Sequence, residues 1–336
     1  MPTMSDVAKK AGVSVMTVSR IISGSGVVKE ATRKRVLRAM EELNYIPKGY
    51  DRNVIRQQIR TLMLMIPDIT NPFFTFVARG MEDVARKHGY RVFLANTDEN
   101  VYKEAEYDQM CLDFHADGVL VAPVGNSSVD NLYALQQNEI PFVLVDREVD
   151  NVRADVVKGD VAGASRTLIE HLILQGHRRI GIVLGPDNNS ASLERLTGYR
   201  EALQNADLHF DASLVQVSTM MRDASSKFVD QLLGLEPSPT ALFVSNMFQY
   251  AHAVERLRQL NLRIPDDISI VGFGNSDYLA AIDSPLTAAI QPSYSYGSLG
   301  TQMLIERIEG ISDPPRKIHL QADVIYRGSV ASPRRV

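Results

Sequence analysis

MSDVAKKAGVSVMTVSRIIS, residues Met4–Ser23, decides how the rest of the chain is read. Two short helical patterns meet at Ala11-Gly12-Val13-Ser14. Val7, Ala8 and Ala11 give the first an apolar side, with Asp6, Lys9 and Lys10 outward. Val15, Val18, Ile21 and Ile22 predict an apolar stripe on the second. Ser14 is placed to cap the second helix, and Gly12 to supply the positive φ of a tight turn. So short a glycine-containing connection predicts a helix-turn-helix, the motif that lays its second helix in a DNA major groove. The outward residues Met16, Thr17, Ser19 and Arg20 suit thymine methyls, phosphates and guanine edges. An ordinary helical hairpin with a wetted polar face has the same spacing, so the rest of the chain must separate the two.

The 336 residues leave room for two or three domains. The net charge of −4 conceals an asymmetry: residues 1–60 hold 12 Lys+Arg against 5 Asp+Glu, the remainder 24 against 35. A basic head on an acidic body suits a head that meets phosphates and a body that does not. The single cysteine, Cys111, excludes an intrachain disulfide framework and is expected in buried packing. No charged start precedes an apolar run and no apolar segment reaches about 18 residues, so a cytoplasmic location is expected.

The stretch Asp6–Arg20, D-V-A-K-x-A-G-V-S-x-x-T-V-S-R, resembles the DNA-binding headpiece of the LacI/GalR family of bacterial transcription regulators. The likeness continues through Pro67-Asp68-Ile69-Thr70-Asn71-Pro72-Phe73-Phe74, Gly176-His177-Arg178-Arg179-Ile180-Gly181, Glu194-Arg195-Leu196-x-Gly198-Tyr199 and Ile264–Phe273, so it spans nearly the whole chain. It implies an all-α helix-turn-helix headpiece over residues 1–47, a linker or hinge helix over 48–60, and a two-lobed body over 61–336. That body would be an α/β, doubly wound parallel-sheet structure resembling periplasmic binding proteins. The first lobe would hold about 61–160 plus 292–320, the second about 161–291 plus 321–330. The chain would cross between them near Val157–Val161, Gln291-Pro292 and Leu320–Ala322.

Glu30–Leu43 predicts a third amphipathic helix, with Val36, Leu37, Met40 and Leu43 on one face and Arg33, Lys34, Arg35 and Arg38 opposite. Lys29 stands where the family usually caps this helix with Ser or Thr, a departure costing up to about 1–2 kcal/mol unless another group substitutes. Pro47 ends the helical region. In the family the following segment orders into a hinge helix on DNA, and its leucine wedges into the minor groove. Here Val54 holds that position, beside Asp51 and Asn53, and the alternative is a flexible basic tether. The wedge is the favoured reading. The resemblance thus implies DNA contacts from Ser5, Ser14, Val15, Met16 and Thr17, from Ser19, Arg20, Ser23 and Arg33, and from Arg52 and Val54 in the linker.

From Thr61 apolar strands alternate with helices. Strands are expected at 62–66, 91–95, 118–122 and 142–146, and again at 180–184, 214–217, 241–245 and 269–273. Helical patterns fill the intervals. Such alternation implies parallel sheets covered on both faces, and two series imply two lobes with a ligand cleft beyond the strand C-termini. The resemblance places effector contacts there. Arg195 is the foremost, its guanidinium offering forked donors to ligand oxygens, with a salt bridge to Glu194 or Asp187 as the alternative. Phe73 and Phe74 supply an apolar wall unless core burial claims them. Asp146 and Arg147 end a strand at the cleft, where an ion pair between lobes or across a dimer is the other reading. Ser190, Ser192, Met221 and Asn246 complete the set with Asn275, which stands after Phe273-Gly274 where the family commonly has an Asp. Losing that carboxylate leaves Arg195 less neutralised, and so points to an effector of anionic or acceptor-rich character: a sugar, sugar acid or sugar phosphate.

Two other classes fit the sequence less well. A catalyst is disfavoured by the absence of G-x-G-x-x-G, a P-loop, H-x-x-x-H, C-x-x-C or G-x-S-x-G, and no metal or cofactor is expected. His88, His171 and His177 fit surface or capping roles. An exported solute-binding protein would share the body but carry an export signal and no headpiece. The tail after Tyr326 has no leucine heptads, so a homodimer on double-stranded DNA is expected rather than a coiled-coil tetramer.

Overall fold

The computed structural model describes residues 2–22, 28–43, 45, 60–219, 221, 226–274 and 286–334. Ser23, the linker with Arg52 and Val54, and Asn275 lie outside the described residues. Two compact units divide the chain, residues 1–60 and 61–336.

The first unit holds α1 (Met4–Ala11), α2 (Val15–Ile22) and α3 (Glu30–Glu42). Thr3 and Asp6 form a capping box at the start of α1, and Gly12 ends it at φ 64°. Ser14 Oγ accepts from Thr17 N at 3.1 Å, opening α2. Val7, Ala8 and Ala11 pack with Val18, Ile21, Val36, Ala39 and Met40 into a small core. Lys10 Nζ meets Glu42 at 2.9 Å, tying α1 to α3. The expected stripe on α2 needs one correction: Val15 is 46% exposed and stands outside this core. As the first residue of α2, it is turned away from α1 and α3 and joins Met16 on the outward side.

The second unit contains two six-stranded sheets. Sheet one is built from β1 (Arg60–Ile66), β2 (Tyr90–Asn96), β3 (Gly118–Val121), β4 (Phe142–Val145), β5 (Asp155–Gly159) and β11 (Lys317–Leu320), in the order β11-β5-β4-β3-β1-β2. Sheet two joins β6 (Ile180–Leu184), β7 (Val215–Val217), β8 (Ala241–Val244), β9 (Ser269–Gly274), β10 (Thr287–Ile290) and β12 (Asp323–Ile325), in the order β12-β10-β9-β8-β6-β7. Its β12 is antiparallel to β10, whereas β6, β8, β9 and β10 pair in parallel.

Helices cover both faces. Around sheet one lie α4 (Pro72–Lys87), α5 (Val101–Phe114), α6 (Val129–Gln137) and α11 (Ser293–Ile308). Around sheet two lie α7 (Val161–Leu174), α8 (Ser190–Asn205), α9 (Lys227–Leu233) and α10 (Met247–Gln259). Alternation along β1 sorts the two faces. Leu62, Leu64 and Ile66 pack with Phe74, Val77 and Met81 of α4 and Leu304 of α11. Met63 and Met65 face Cys111, Leu132 and Leu135. On sheet two, Ile180 and Ile182 meet Leu168, Leu172 and Tyr199, while Val183, Leu242 and Val244 meet Phe228, Leu232 and Leu257.

Five body elements escaped the two expected series: β5, β10, α11, β11 and β12. Helix α11 begins Ser293-Tyr294-Ser295-Tyr296-Gly297, a composition that reads as a breaker. Its glycine serves close packing, because a Cβ on Gly297 would overlap the Val77 carbonyl of α4. His177 also departs from a surface role. It is 1% exposed, with Nδ1 2.8 Å from Thr240 Oγ1 and Nε2 3.0 Å from both Ser269 Oγ and the Ala331 carbonyl. Burial holds its pKa below the usual imidazole range.

Candidate functional sites

In the first unit, α2 presents a distinct outer side. Met16 is 64% exposed, and Ser14 and Arg20 are also exposed. Thr17 Oγ1 lies 2.9 Å from Ser14 Oγ, so both hydroxyls are fixed at the helix start. Ser5 is exposed in the first turn of α1, and Arg33 and Ser19 are half-buried. Methyl, hydroxyl and guanidinium groups on one short helix are the groups that read groove edges and grip phosphates.

In the second unit a cleft of about 730 Å³, counting solvent at its mouth, opens where the two sheets point their strand ends at each other. Helix-capping asparagines set its rim. Asn71 Oδ1 accepts from Phe73 N at 3.0 Å, Asn189 Oδ1 from Ala191 N at 3.0 Å and Asn246 Oδ1 from Gln249 N at 2.9 Å. Each cap begins a helix of 13 residues or more, so three positive helix ends border the cleft.

Arg195 sits in this cleft at 5% exposure, and its Nε and Nη1 have no hydrogen-bond partner among the described residues. Its guanidinium carbon lies 4.6 Å from the centre of the Phe273 ring, a cation–π contact. Burial pushes its pKa down to about 10, with Asp146 working in the opposite direction. Neither Glu194 nor Asp187 pairs with it, which removes the salt-bridge alternative among the described residues.

Asp146 directly follows β4 in the left-handed region, at φ 68°, and lines the cleft, its Oδ2 3.6 Å from Arg147 Nε. Burial raises its pKa, against the pull of Arg147 and Arg195. Arg147 is spoken for: Nη1 and Nη2 reach the two carboxylate oxygens of Glu99 at 2.8 and 2.7 Å, and Nη1 also donates to the Pro123 carbonyl at 3.0 Å. The ion pair is therefore internal to the first lobe, not between lobes. Burial opposes the Arg147 charge, yet Glu99 more than compensates and its pKa rises.

Phe73 and Phe74 both line the cleft, their rings edge-to-face at 5.0 Å, but Phe74 is 3% exposed and belongs to the core. Met221 and Asn246 line it as well. Ser190 and Ser192 do not. Ser190 Oγ accepts from Glu148 N at 2.9 Å, and Ser192 is buried in the first turn of α8. Sequence reasoning missed Glu99, Asn189, Asp68 and Phe273. An Asn just ahead of each helical pattern was a usable signal for the caps, whereas Glu99 lies outside both predicted elements and gave none.

A helix-turn-helix unit joined in one chain to a two-lobed body with a donor-lined cleft defines a ligand-responsive transcription regulator. Residues 3–48 match the family described as bacterial regulatory proteins, lacI family, and residues 169–330 match the periplasmic binding protein-like domain. The HTH-type transcriptional repressor PurR of Aliivibrio fischeri (strain MJ11) is 34% identical over 333 residues, covering 98% of each chain. The repressor CytR of Escherichia coli (strain K12) is 32% identical, covering 97% of this chain and 96% of its own. Among solved structures, a complex of the transcriptional regulator CelR with cellobiose is 29% identical with a TM-score of 0.73, covering 98% of this chain and all of the other. The chain belongs to the lacI family of bacterial regulatory proteins.

Proposed function

We propose that this chain is a cytoplasmic repressor that binds a palindromic operator as a homodimer and is modulated by a small metabolite in the interlobe cleft. The headpiece of residues 1–47 reads the half-site, residues 48–60 link it to the body, and α2 supplies the groove contacts. Val15, Met16 and Arg20 contact bases, while Ser5, Ser14, Thr17, Ser19 and Arg33 contact the backbone. In the linker Arg52 and Val54 meet the minor groove.

The effector is a sugar, sugar acid or sugar phosphate, held by Arg195 and Asp146 against Phe73 and Phe273. The observation that carries this is the pair of N–H groups on buried Arg195 left unmatched among the described residues, in a cleft that Asp146 also lines. Donor and acceptor side by side suit vicinal oxygens, and an unmatched buried donor makes ligand binding favourable. Solved relatives fit this class: the CelR structure holds cellobiose, and a LacI family regulator from Enterococcus faecium, 26% identical with a TM-score of 0.70, holds ribose. An effector shifts operator affinity only through its differential affinity for two body arrangements. The relatives are repressors rather than catalysts, and we read this chain likewise as no enzyme. No helix among the described residues is long and apolar enough to cross a membrane.

The test is selection of duplexes from random DNA by the intact protein, followed by anisotropy titration with cellobiose, ribose, gluconate and ribose 5-phosphate. Half-site symmetry, salt-dependent binding lost on deleting residues 1–58, and a shift with one metabolite are expected. Binding unaffected by that deletion would overturn the reading.

A further inference from the structure

We propose that Lys158 is the positioning residue of the cleft: its ammonium holds Glu194 of the second lobe and Glu148 of the first, fixing the spacing of Arg195 from Asp146. This deepens the cleft reading above, on which it rests for the purpose of that spacing.

Lys158 is the penultimate residue of β5, directly before the chain passes through Asp160, the cap of α7, into the second lobe. It is 5% exposed. Its Nζ bonds Glu194 Oε1 and lies 3.4 Å from Glu148 Oε2. Glu148 in turn takes Lys317 Nζ at 2.7 Å, so two lysines and two glutamates close a neutral network. Glu194 immediately precedes Arg195, and Glu148 follows Asp146 by two residues. One ammonium thus bridges the segments that carry the two groups facing the ligand.

The bridge is the innermost of three ties along the same rim. Asn126 N donates to the Asn188 carbonyl at 2.9 Å, and Glu148 N donates to Ser190 Oγ at 2.9 Å. Gly125, at φ 156°, lets the first tie form, since a Cβ there would overlap that same Asn188 carbonyl. All three ties seize the N-terminal end of α8, the helix bearing Arg195. The first two are neutral hydrogen bonds between half-buried residues. The third is a buried charge flanked by opposite charges, whose partial removal leaves an uncompensated ion, so it resists intermediate geometries more strongly. Burial disfavours the charged amine, but Glu194 and Glu148 outweigh it and raise the pKa, so the bridge persists across neutral pH. A cation carried on a long, flexible stem can reach two carboxylates on different elements.

The experiment is hydrogen exchange on the full-length chain without effector, comparing Lys158→Met, Glu194→Gln, their combination and Lys158→Arg. Amides of residues 188–195 and 147–149 are expected to exchange about tenfold faster in the first two variants, with no further gain in the combination. Lys158→Arg should restore the rates, and β1 amides should stay unchanged in all four. If Lys158→Met does not fold, Glu194→Gln carries the same expectation alone. Unchanged rates at the rim, acceleration shared by β1, or additive effects in the combination would each overturn the proposal. Because no effector enters the measurement, a failed metabolite search leaves its result standing.

Discussion

The guanidinium of Arg147 grips both carboxylate oxygens of Glu99, at 2.7 and 2.8 Å, on the wall of the cleft. The pair ties down the two terminal nitrogens of Arg147, so that among the described residues this guanidinium keeps only its Nε unmatched, against two unmatched nitrogens on Arg195. Arg147 is 2% exposed, so losing its partner strands a charge. Glu99→Gln should lower unfolding free energy by roughly 2–4 kcal/mol in urea denaturation. The same variant should bind anionic metabolites more tightly than the wild type, because a second cation then faces the cleft.

Arg195→Met removes the unmatched donors while keeping an apolar side chain on Phe273. Effector affinity should fall by about 100-fold or more, equivalent to roughly 3 kcal/mol, while operator binding without effector stays near wild type. Calorimetry and anisotropy on the same preparation separate the two. Retained effector response would remove Arg195 from the site.

Asp108, on α5, is buried beside Glu104, and its Oδ2 has no hydrogen-bond partner among the described residues. Burial first, and the Glu104 charge second, push its pKa up to about 8 from 3.8. Between those values the native chain holds a proton that the unfolded chain has lost, so stability falls as pH rises through that interval. Asp108→Asn should flatten this slope and stabilise the protein at pH 8 on the order of 3 kcal/mol. Thermal melts from pH 5 to 8 read the difference, and parallel profiles would refute the assignment.

At the crossing of α4 and α11, Gly297 lies against the Val77 carbonyl. Gly297→Ala forces two backbones apart and should cost about 1–3 kcal/mol despite the better helix propensity of alanine. A midpoint shift without a change in denaturant slope would identify native-state strain.

Arg20→Ala should weaken operator binding by about 1–3 kcal/mol and relax preference at one base pair if Arg20 reads guanine. Equal losses on all duplexes would make it a phosphate contact instead. Met16→Ala gives the parallel measurement at a thymine.

Much of this was legible in the residues. The alternation of strands and helices exposed both sheets, since buried parallel strands read as near-continuous apolar runs such as Leu62–Ile66. The D-V-A-K motif located the paired helices α1 and α2. What stayed hidden depends on partners distant in sequence. Lys158 and Glu99 owe their significance to Glu194 and Arg147, 36 and 48 residues away. His177 resembled a turn residue because Thr240, Ser269 and Ala331, which bury it, come from three later segments. Val15 misled through its hydrophobicity, which periodicity assigned to the core and the first turn of α2 leaves exposed.

Strand β11 and helix α11, which complete the first lobe, arrive more than 130 residues after the strand they cover, β5. During synthesis, therefore, the first sheet leaves the ribosome with a bare edge and an uncovered face, and waits for the entire second lobe to be made. A transcript truncated anywhere before residue 293 leaves that sheet unfinished, so a stalled ribosome would yield a headpiece tethered to a sticky, chaperone-dependent fragment rather than to a smaller working protein.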